Sequence, residues 1–401
     1  MIESAKKFLL RAPAVYKLLK YCYTKIRHLY EYAFSILFSI FPIAKNKILI
    51  VSYRGKGYGD NAKYIVDEIL NRNLGIDVVW LLKRDFQDNA GLPDNVRVVE
   101  FGSLKGIYEI ATARVWIDNN RFSFRVRKRT NQYYIQTWHG GLGLKKIEGD
   151  APYGLNKKYI KFAKQDSQST DLFISNTKFL TQIYRRAFWY DGEVLESGYP
   201  KNDILFTDKS LYRKKIREHY LLDDNVRLVL YAPTFRDGHK LDAYNIDLQS
   251  CLKSLKKKFG NDWVAMARLH PNIKKDSFNQ IFNNQAINAT DYPDMQELVM
   301  GIDVLITDYS SCMFDSALAK TPTFIYASDV NEYMDDRGFY FKLDEMPFSV
   351  ALTNEELACN IEQFEQEGYE SSLTSFYSRV GLYDEGNASQ IVVNKVIKMV
   401  V

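Results

Sequence analysis

From Lys47 onward the chain repeats one pattern: a short apolar run, a turn, then a helical stretch. KILIVSY (47–53), VVWLL (78–82), VRVVEF (96–101), VWID (115–118), YYIQTW (133–138) and DLFIS (171–175) are such runs. Strands separated by helices cannot pair through tight hairpins. They form a parallel sheet with helices on both faces, and so read as continuous apolar runs. GEVLESGYPKND (192–203) is rich in turn formers and reads as the end of a first half. A basic helix over 209–219 follows. The alternation then resumes with RLVLYAPTF (227–235), WVAMARLHP (263–271), DVLITDYSS (303–311) and TPTFIY (321–326). SQIVVNKVIKMV (389–400) has helical spacing and is expected to pack back on the body. Two α/β halves in tandem make the cleft between them the natural ligand site.

A chain of 401 residues fits two to three domains. The four cysteines are far apart with no C-x-x-C pair, which argues against a disulfide framework or a zinc site. Charge is placed unevenly. Residues 1–47 carry nine basic groups against two acids, so the remaining residues carry −2 of the total +5. The body therefore has no global nucleic-acid signature. Within the basic tail, LYEYAFSILFSIFPIA (29–44) is too short to span a bilayer comfortably. Basic flanks around an aromatic-rich apolar stretch suit a helix lying in the interface of an anionic membrane. The competing reading is a helix buried against the body or a partner subunit. RFSFRVRKR (121–129) has five basic groups and two phenylalanines, and suits contact with an anionic acceptor or lipid headgroups.

Four stretches carry chemistry. In YIQTWHGGLGLKK (134–146), His139 follows a strand directly, at the sheet edge where open α/β sheets bind ligands. Imidazole titrates near neutrality and suits general-base work on a hydroxyl; a structural histidine bonding a loop carbonyl is the plainer reading. Gly140, Gly141 and Gly143 would let a substrate approach the backbone. Lys145 and Lys146 could attract phosphate or simply be solvated. RLHPN (268–272) repeats the pattern, with His270 at a strand end. In DVLITDYSSCMFDSALA (303–319), Asp308 precedes Ser310 and Ser311 at a helix start, where free N–H groups and the helix dipole favour an anion. Asp308 beside such a site would bind a hydroxyl or orient a donor. In YAPTFRDG (231–238), Arg236 could clamp phosphate oxygens unless Asp237 neutralises it. The glycines of RGKGYGD (54–60) are not a dinucleotide fingerprint, because the third comes one residue early.

The order strand–WHG, SGYPKND, LYAPTFRD, RLHP and DVLITDYSS resembles the CDP-glycerol glycerophosphotransferase family of wall teichoic acid synthesis, over roughly residues 47–385. The resemblance implies an α/β fold of the GT-B type, with two Rossmann-like domains facing across a cleft. The expected division is a membrane-associating helical segment (1–46), an acceptor domain (47–208), a nucleotide-donor domain (209–385) and a C-terminal helix (386–401). It implies transfer of glycerol phosphate from CDP-glycerol to a hydroxyl of a lipid-linked saccharide acceptor, with release of CMP, by a peripheral enzyme on the cytoplasmic membrane face. His139 would be the base. Arg236, His270, Ser310, Ser311 and Asp308 would serve the donor; Gly140, Gly141, Lys145 and Lys146 would lie on the acceptor side. No obligatory cofactor, no metal and no nucleic acid are expected, and self-association is left open. CDP-ribitol as donor, a GT-B glycosyltransferase using a nucleotide sugar, and a non-catalytic membrane scaffold are the alternatives. The loop GGLGLKK departs from the family pattern, which leaves primase, extender and capsule polymerase open.

Overall fold

The computed structural model describes residues 13–87, 91–122, 124–151, 154–236, 244–270, 273, 277–330 and 338–400. Seven strands build a first sheet: β1 (Ala44–Val51), β2 (Asp77–Leu82), β3 (Arg97–Glu100), β4 (Ala113–Asp118), β5 (Tyr133–Gln136), β6 (Leu172–Ser175) and β7 (Glu193–Glu196). Six build a second: β8 (Arg227–Ala232), β9 (Trp263–Ala267), β10 (Ile287–Asn288), β11 (Val304–Thr307), β12 (Thr323–Tyr326) and β13 (Ser349–Ala351). The orders are β3-β2-β1-β4-β5-β6-β7 and β10-β9-β8-β11-β12-β13, with every pairing parallel. Counted within each half, both begin 3-2-1-4-5-6. That is the doubly wound order, whose ligand crevice opens where the winding reverses, beside β1 and β4 and beside β8 and β11. Burial on both faces explains the apolar runs: Ile48, Leu49, Ile50 and Val51 are all fully buried.

The chain crosses between the halves twice. After β7, the 3₁₀ segment Pro200–Phe206 leads to the helix Ser210–Tyr220 of the second half. After the helix Gln366–Val380 it returns, and the helix Ala388–Val400 packs on the helix Asp60–Asn71 and on β4. Ion pairs join the halves near the cleft. Lys63 holds Asp294 (2.5 Å) and Glu297 (3.2 Å), and Lys201 holds Asp315 (2.8 Å). Asp294 also caps its own helix, accepting from the amides of Gln296 and Glu297.

The helix Pro13–Phe38 lies on the helix Leu104–Thr112, with Phe38 edge-on to Tyr108 at 5.5 Å. Most of the basic run 121–129 is engaged within the protein, while Arg127 stays exposed. Arg121 is buried between Glu148 (2.9 Å) and Asp166 (3.2 Å), and Lys128 pairs with Asp171. The Arg125 amide donates to Glu31 (3.0 Å), and Arg129 donates to the carbonyls of Phe41 and Ala111. The run thus seats the N-terminal helix. No helix among the described residues is long and apolar enough to cross a membrane.

Candidate functional site

The strand before the first histidine ends earlier than its apolar run. β5 stops at Gln136, whose Oε1 accepts the Trp138 amide at 2.8 Å. Trp138 then takes a left-handed conformation (φ +53°), which turns the chain out of the sheet. His139 packs on the Trp138 ring at 4.5 Å and is half-buried. Its Nδ1 lies 2.7 Å from the Asn119 carbonyl oxygen. A carbonyl can only accept, so Nδ1 carries the proton, and in the neutral ring Nε2 holds the lone pair. The carbonyl bond of the structural reading and the free basic nitrogen of the catalytic reading therefore coexist in one ring.

Asn119, just after β4, is itself fixed. Its Nδ2 donates to Asp60 (2.6 Å), and its Oδ1 accepts the Tyr53 amide (2.8 Å). Asp60 precedes a helical run, where an aspartate commonly acts as the N-cap. Instead it is the first helical residue with φ +60°, and its carboxylate turns to Asn119 and the Asn61 amide. Burial raises its pKa, opposed by Lys201, by the Asn119 amide and by nearby His139.

The glycine loop also has a structural use. A Cβ on Gly141 would come within 3.0 Å of Asn176 Nδ2 and 3.1 Å of Tyr199, so the protein itself requires that glycine. Gly140 meets only the Trp138 indole, at ordinary contact distance. Leu142 and Leu144 insert into the core of the second half. The Lys146 amide donates to Gly338 (3.0 Å) and the Tyr340 amide to Leu144 (2.8 Å), with Lys145 bridged to Phe339. The loop spans the cleft; Lys146 is exposed and Lys145 half-buried.

On the other wall, β9 ends at Ala267, and His270 stands three residues beyond, exposed, with Phe235 at 5.5 Å. Partial burial, then the charges of Lys145 and Lys56, hold its pKa below the usual value. Lys145 and Lys56 come from the first half, so His270 faces them across the cleft. Ser311 is the N-cap of the short helix Cys312–Leu318, and its hydroxyl makes no capping bond. Ser310 is half-buried beside it.

Arg236 and Asp308 are brought together with each other. Arg236 is 7% exposed, 2.8 Å from Asp308 and 2.6 Å from Asp329. Asp308 also accepts the Thr234 amide and hydroxyl, and Tyr309 donates to Asp329. This bracket ties the loop after β8 to the loop after β11, the two segments that flank the second crevice. Asp237, Pro271 and Asn272 lie outside the described residues. Among the described residues no three His, Cys, Asp or Glu side chains converge as a metal site. Sequence reasoning missed Tyr53, Lys56, Asp60 and Asn119. The only signal was their position after β1 and β4, the switch-point strands, which becomes visible once the strand order is known.

The match of a family model decides the relationship: residues 33–398 fit the CDP-Glycerol:Poly(glycerophosphate) glycerophosphotransferase family. The chain belongs to this family. It is 33% identical over 86% of its length to a teichoic acid poly(glycerol phosphate) polymerase of Staphylococcus epidermidis, of which it covers 49%. It thus spans about half the length of the first relatives it matches. It is 30% identical over 93% of its length to a protein of the same description from Bacillus spizizenii, and covers 98% of that one. The solved wall teichoic acid polymerase TagF superposes with a TM-score of 0.81 at 30% identity, covering 95% of this chain and 98% of the other. The two parallel sheets are consistent with the GT-B-type fold.

Proposed function

We propose that the protein transfers glycerol phosphate from CDP-glycerol to a hydroxyl of a lipid-linked teichoic-acid-type acceptor. The acceptor oxygen attacks the phosphorus that bears glycerol, the bridging P–O bond breaks, and CMP leaves. His139 Nε2 takes the acceptor proton. The observation that carries this reading is the Nδ1–H bond from His139 to the Asn119 carbonyl (2.7 Å), which leaves Nε2 basic at a sheet edge in a chain of this family. Such transfer depends on alignment and on neutralised phosphate charge more than on covalent chemistry. His270, Ser310 and Ser311 offer hydrogen bonds to the donor pyrophosphate, with Arg236 and Asp308 holding their loops in place. Lys145 and Lys146 lie toward the acceptor.

The half 47–208 serves the acceptor, and the half 209–385 serves the donor. The helix Pro13–Phe38 lies in the interface at the cytoplasmic face, since one side carries Leu18, Ile26 and Leu29 in the open with Lys25 beside them, and Lys17 and Lys20 are exposed further round. The test is CMP release from CDP-glycerol, with CDP-ribitol and UDP-sugars alongside, on a lipid-linked disaccharide with and without one glycerol phosphate. Release is expected with CDP-glycerol, and His139→Ala should lower it about 10²-fold or more. Turnover with a sugar nucleotide alone, or a full rate in His139→Ala, would defeat the reading.

A further inference from the structure

RGKGYGD is the sequence motif that the proposed chemistry leaves unused. In the structure Tyr53, Arg54 and Gly55 run through three consecutive left-handed conformations (φ +46°, +57° and +79°). Each of the two non-glycine residues costs roughly 1–2 kcal/mol in that region. The surroundings hold the turn in place. The amides of Gly55 and Lys56 donate to Ser52 (2.8 and 3.2 Å), the Lys83 amide donates to Gly55 (2.9 Å), and the Tyr53 amide is held by Asn119. A Cβ on Gly55 would meet Phe101 at 3.0 Å, so the turn also seats closely on that ring.

This fixed turn gathers cations. Arg54 and Lys56 are exposed on it. Lys83 lies 5.7 Å over the Phe101 ring, and Arg27 of the N-terminal helix reaches the same corner, beside Gly102. Among the described residues, no carboxylate lies within 4.0 Å of Arg54, Lys56 or Lys83. Partial burial, then Lys56, Arg54 and Arg27, hold the Lys83 ammonium below its usual pKa. Lys56 also acts on His270 across the cleft. Cationic side chains thus extend from the N-terminal helix, where Arg27 is paired with Glu31, toward the cleft. Solvated surface lysines need neither a strained turn nor mutual repulsion. Both are explained if an anion completes the cluster.

We propose that Arg54, Lys56 and Lys83 form an anion site on the acceptor side of the cleft, which takes a phosphoryl group of the acceptor and so presents the hydroxyl to His139. The phosphoryl group is either the pyrophosphate of the lipid carrier or a diester already added to it; both offer the same oxygens. This deepens the function proposed above and rests on it for the identity of the ligand.

The test titrates the full chain with a short glycerol phosphate oligomer, with inorganic pyrophosphate and with CDP-glycerol, by calorimetry at low salt. The variants are Arg54→Gln/Lys83→Gln and the charge-keeping Arg54→Lys/Lys83→Arg. The neutral pair should weaken the oligomer or pyrophosphate by at least about 10-fold, while the charged pair stays within about 3-fold of the starting protein. Stronger loss with pyrophosphate assigns the lipid-proximal phosphates; stronger loss with the oligomer assigns the growing chain. Equal binding by all three proteins overturns the site. So does a loss shared equally by CDP-glycerol, or, in a parallel titration with phosphatidylglycerol vesicles, a loss seen only on the vesicles. Binding needs no turnover, so the titration reads the site even if CMP release fails. Conversely, normal CMP release with an unchanged acceptor KM in the neutral pair sinks the site and leaves the reaction standing.

Discussion

Arg236 shows how far a residue type alone can be trusted. An arginine at a strand mouth reads as a phosphate clamp, yet its guanidinium is bracketed by Asp308 and Asp329 and is 7% exposed. Arg236→Met would leave two carboxylates without their cation. That should cost about 3–5 kcal/mol of stability, measured by urea unfolding. A residue working only as a clamp would instead leave the unfolding midpoint unchanged and raise KM for CDP-glycerol. His139 was legible because few side chains suit proton transfer at a strand end. Its partner was not, because the bond goes to a backbone carbonyl, and a carbonyl leaves no mark in the sequence. Asp60 misled for a related reason. An aspartate before a helical run usually caps it, and only the bond to Asn119, 59 residues on, turns it to the site.

At the scale of elements, the cleft-spanning loop is held by Leu142 and Leu144, which are 3% and 1% exposed in the core of the opposite half. Leu144→Ala should release about 2–5 kcal/mol of packing. The amides of Lys146 and Tyr340, which bond across the cleft, should then exchange hydrogen faster, while the amides of β1 keep their protection. Unchanged exchange at those two amides would mean that the hydrogen bonds alone hold the loop. Apolar periodicity found the central strands because a strand buried on both faces must be apolar throughout. It missed β7, β10 and β13. β7 reads Glu-Val-Leu-Glu, with both glutamates exposed at the sheet edge, and β10 spans two residues. Edge strands have little buried surface to write into the sequence. The strand ends before His139 and His270 were overrun for another reason: Trp138 and Leu269 are apolar because they are buried outside the ladder.

At the scale of the molecule, the two crossing segments meet at Asp384, which accepts the Tyr199 amide (2.7 Å) and Asn176 Nδ2 (2.9 Å). Burial pushes its carboxyl up to about 7. The folded state thus holds a proton that the unfolded chain has released, so stability falls as pH rises between about 4 and about 7. Asp384→Asn should be neutral near pH 4 and gain about 1–3 kcal/mol above pH 7, read from unfolding at both values. The buried Asn176 Oδ1, which has no partner, can accept the new amide after a flip. Loss of stability at both pH values would show that the charged form is the one the crossing needs. In the proposed function the N-terminal helix orients the molecule on the bilayer. Its inner side is fixed through Glu31, which takes the Arg125 amide and pairs with Arg27, so removing residues 1–46 would also strip Ala44 to Asn46 from β1. Point changes on the outer side avoid that damage. Ile26 and Leu29 are 68% and 69% exposed, side by side on one face. Large exposed apolar faces on a packed helix call for a nonaqueous neighbour. Ile26→Asp with Leu29→Asp should abolish co-sedimentation with anionic vesicles at an unchanged melting temperature. Retained co-sedimentation would move the membrane contact elsewhere. It would also leave the proposed approach of a lipid-linked acceptor without its membrane support, because that approach requires the helix to lie flat on the bilayer.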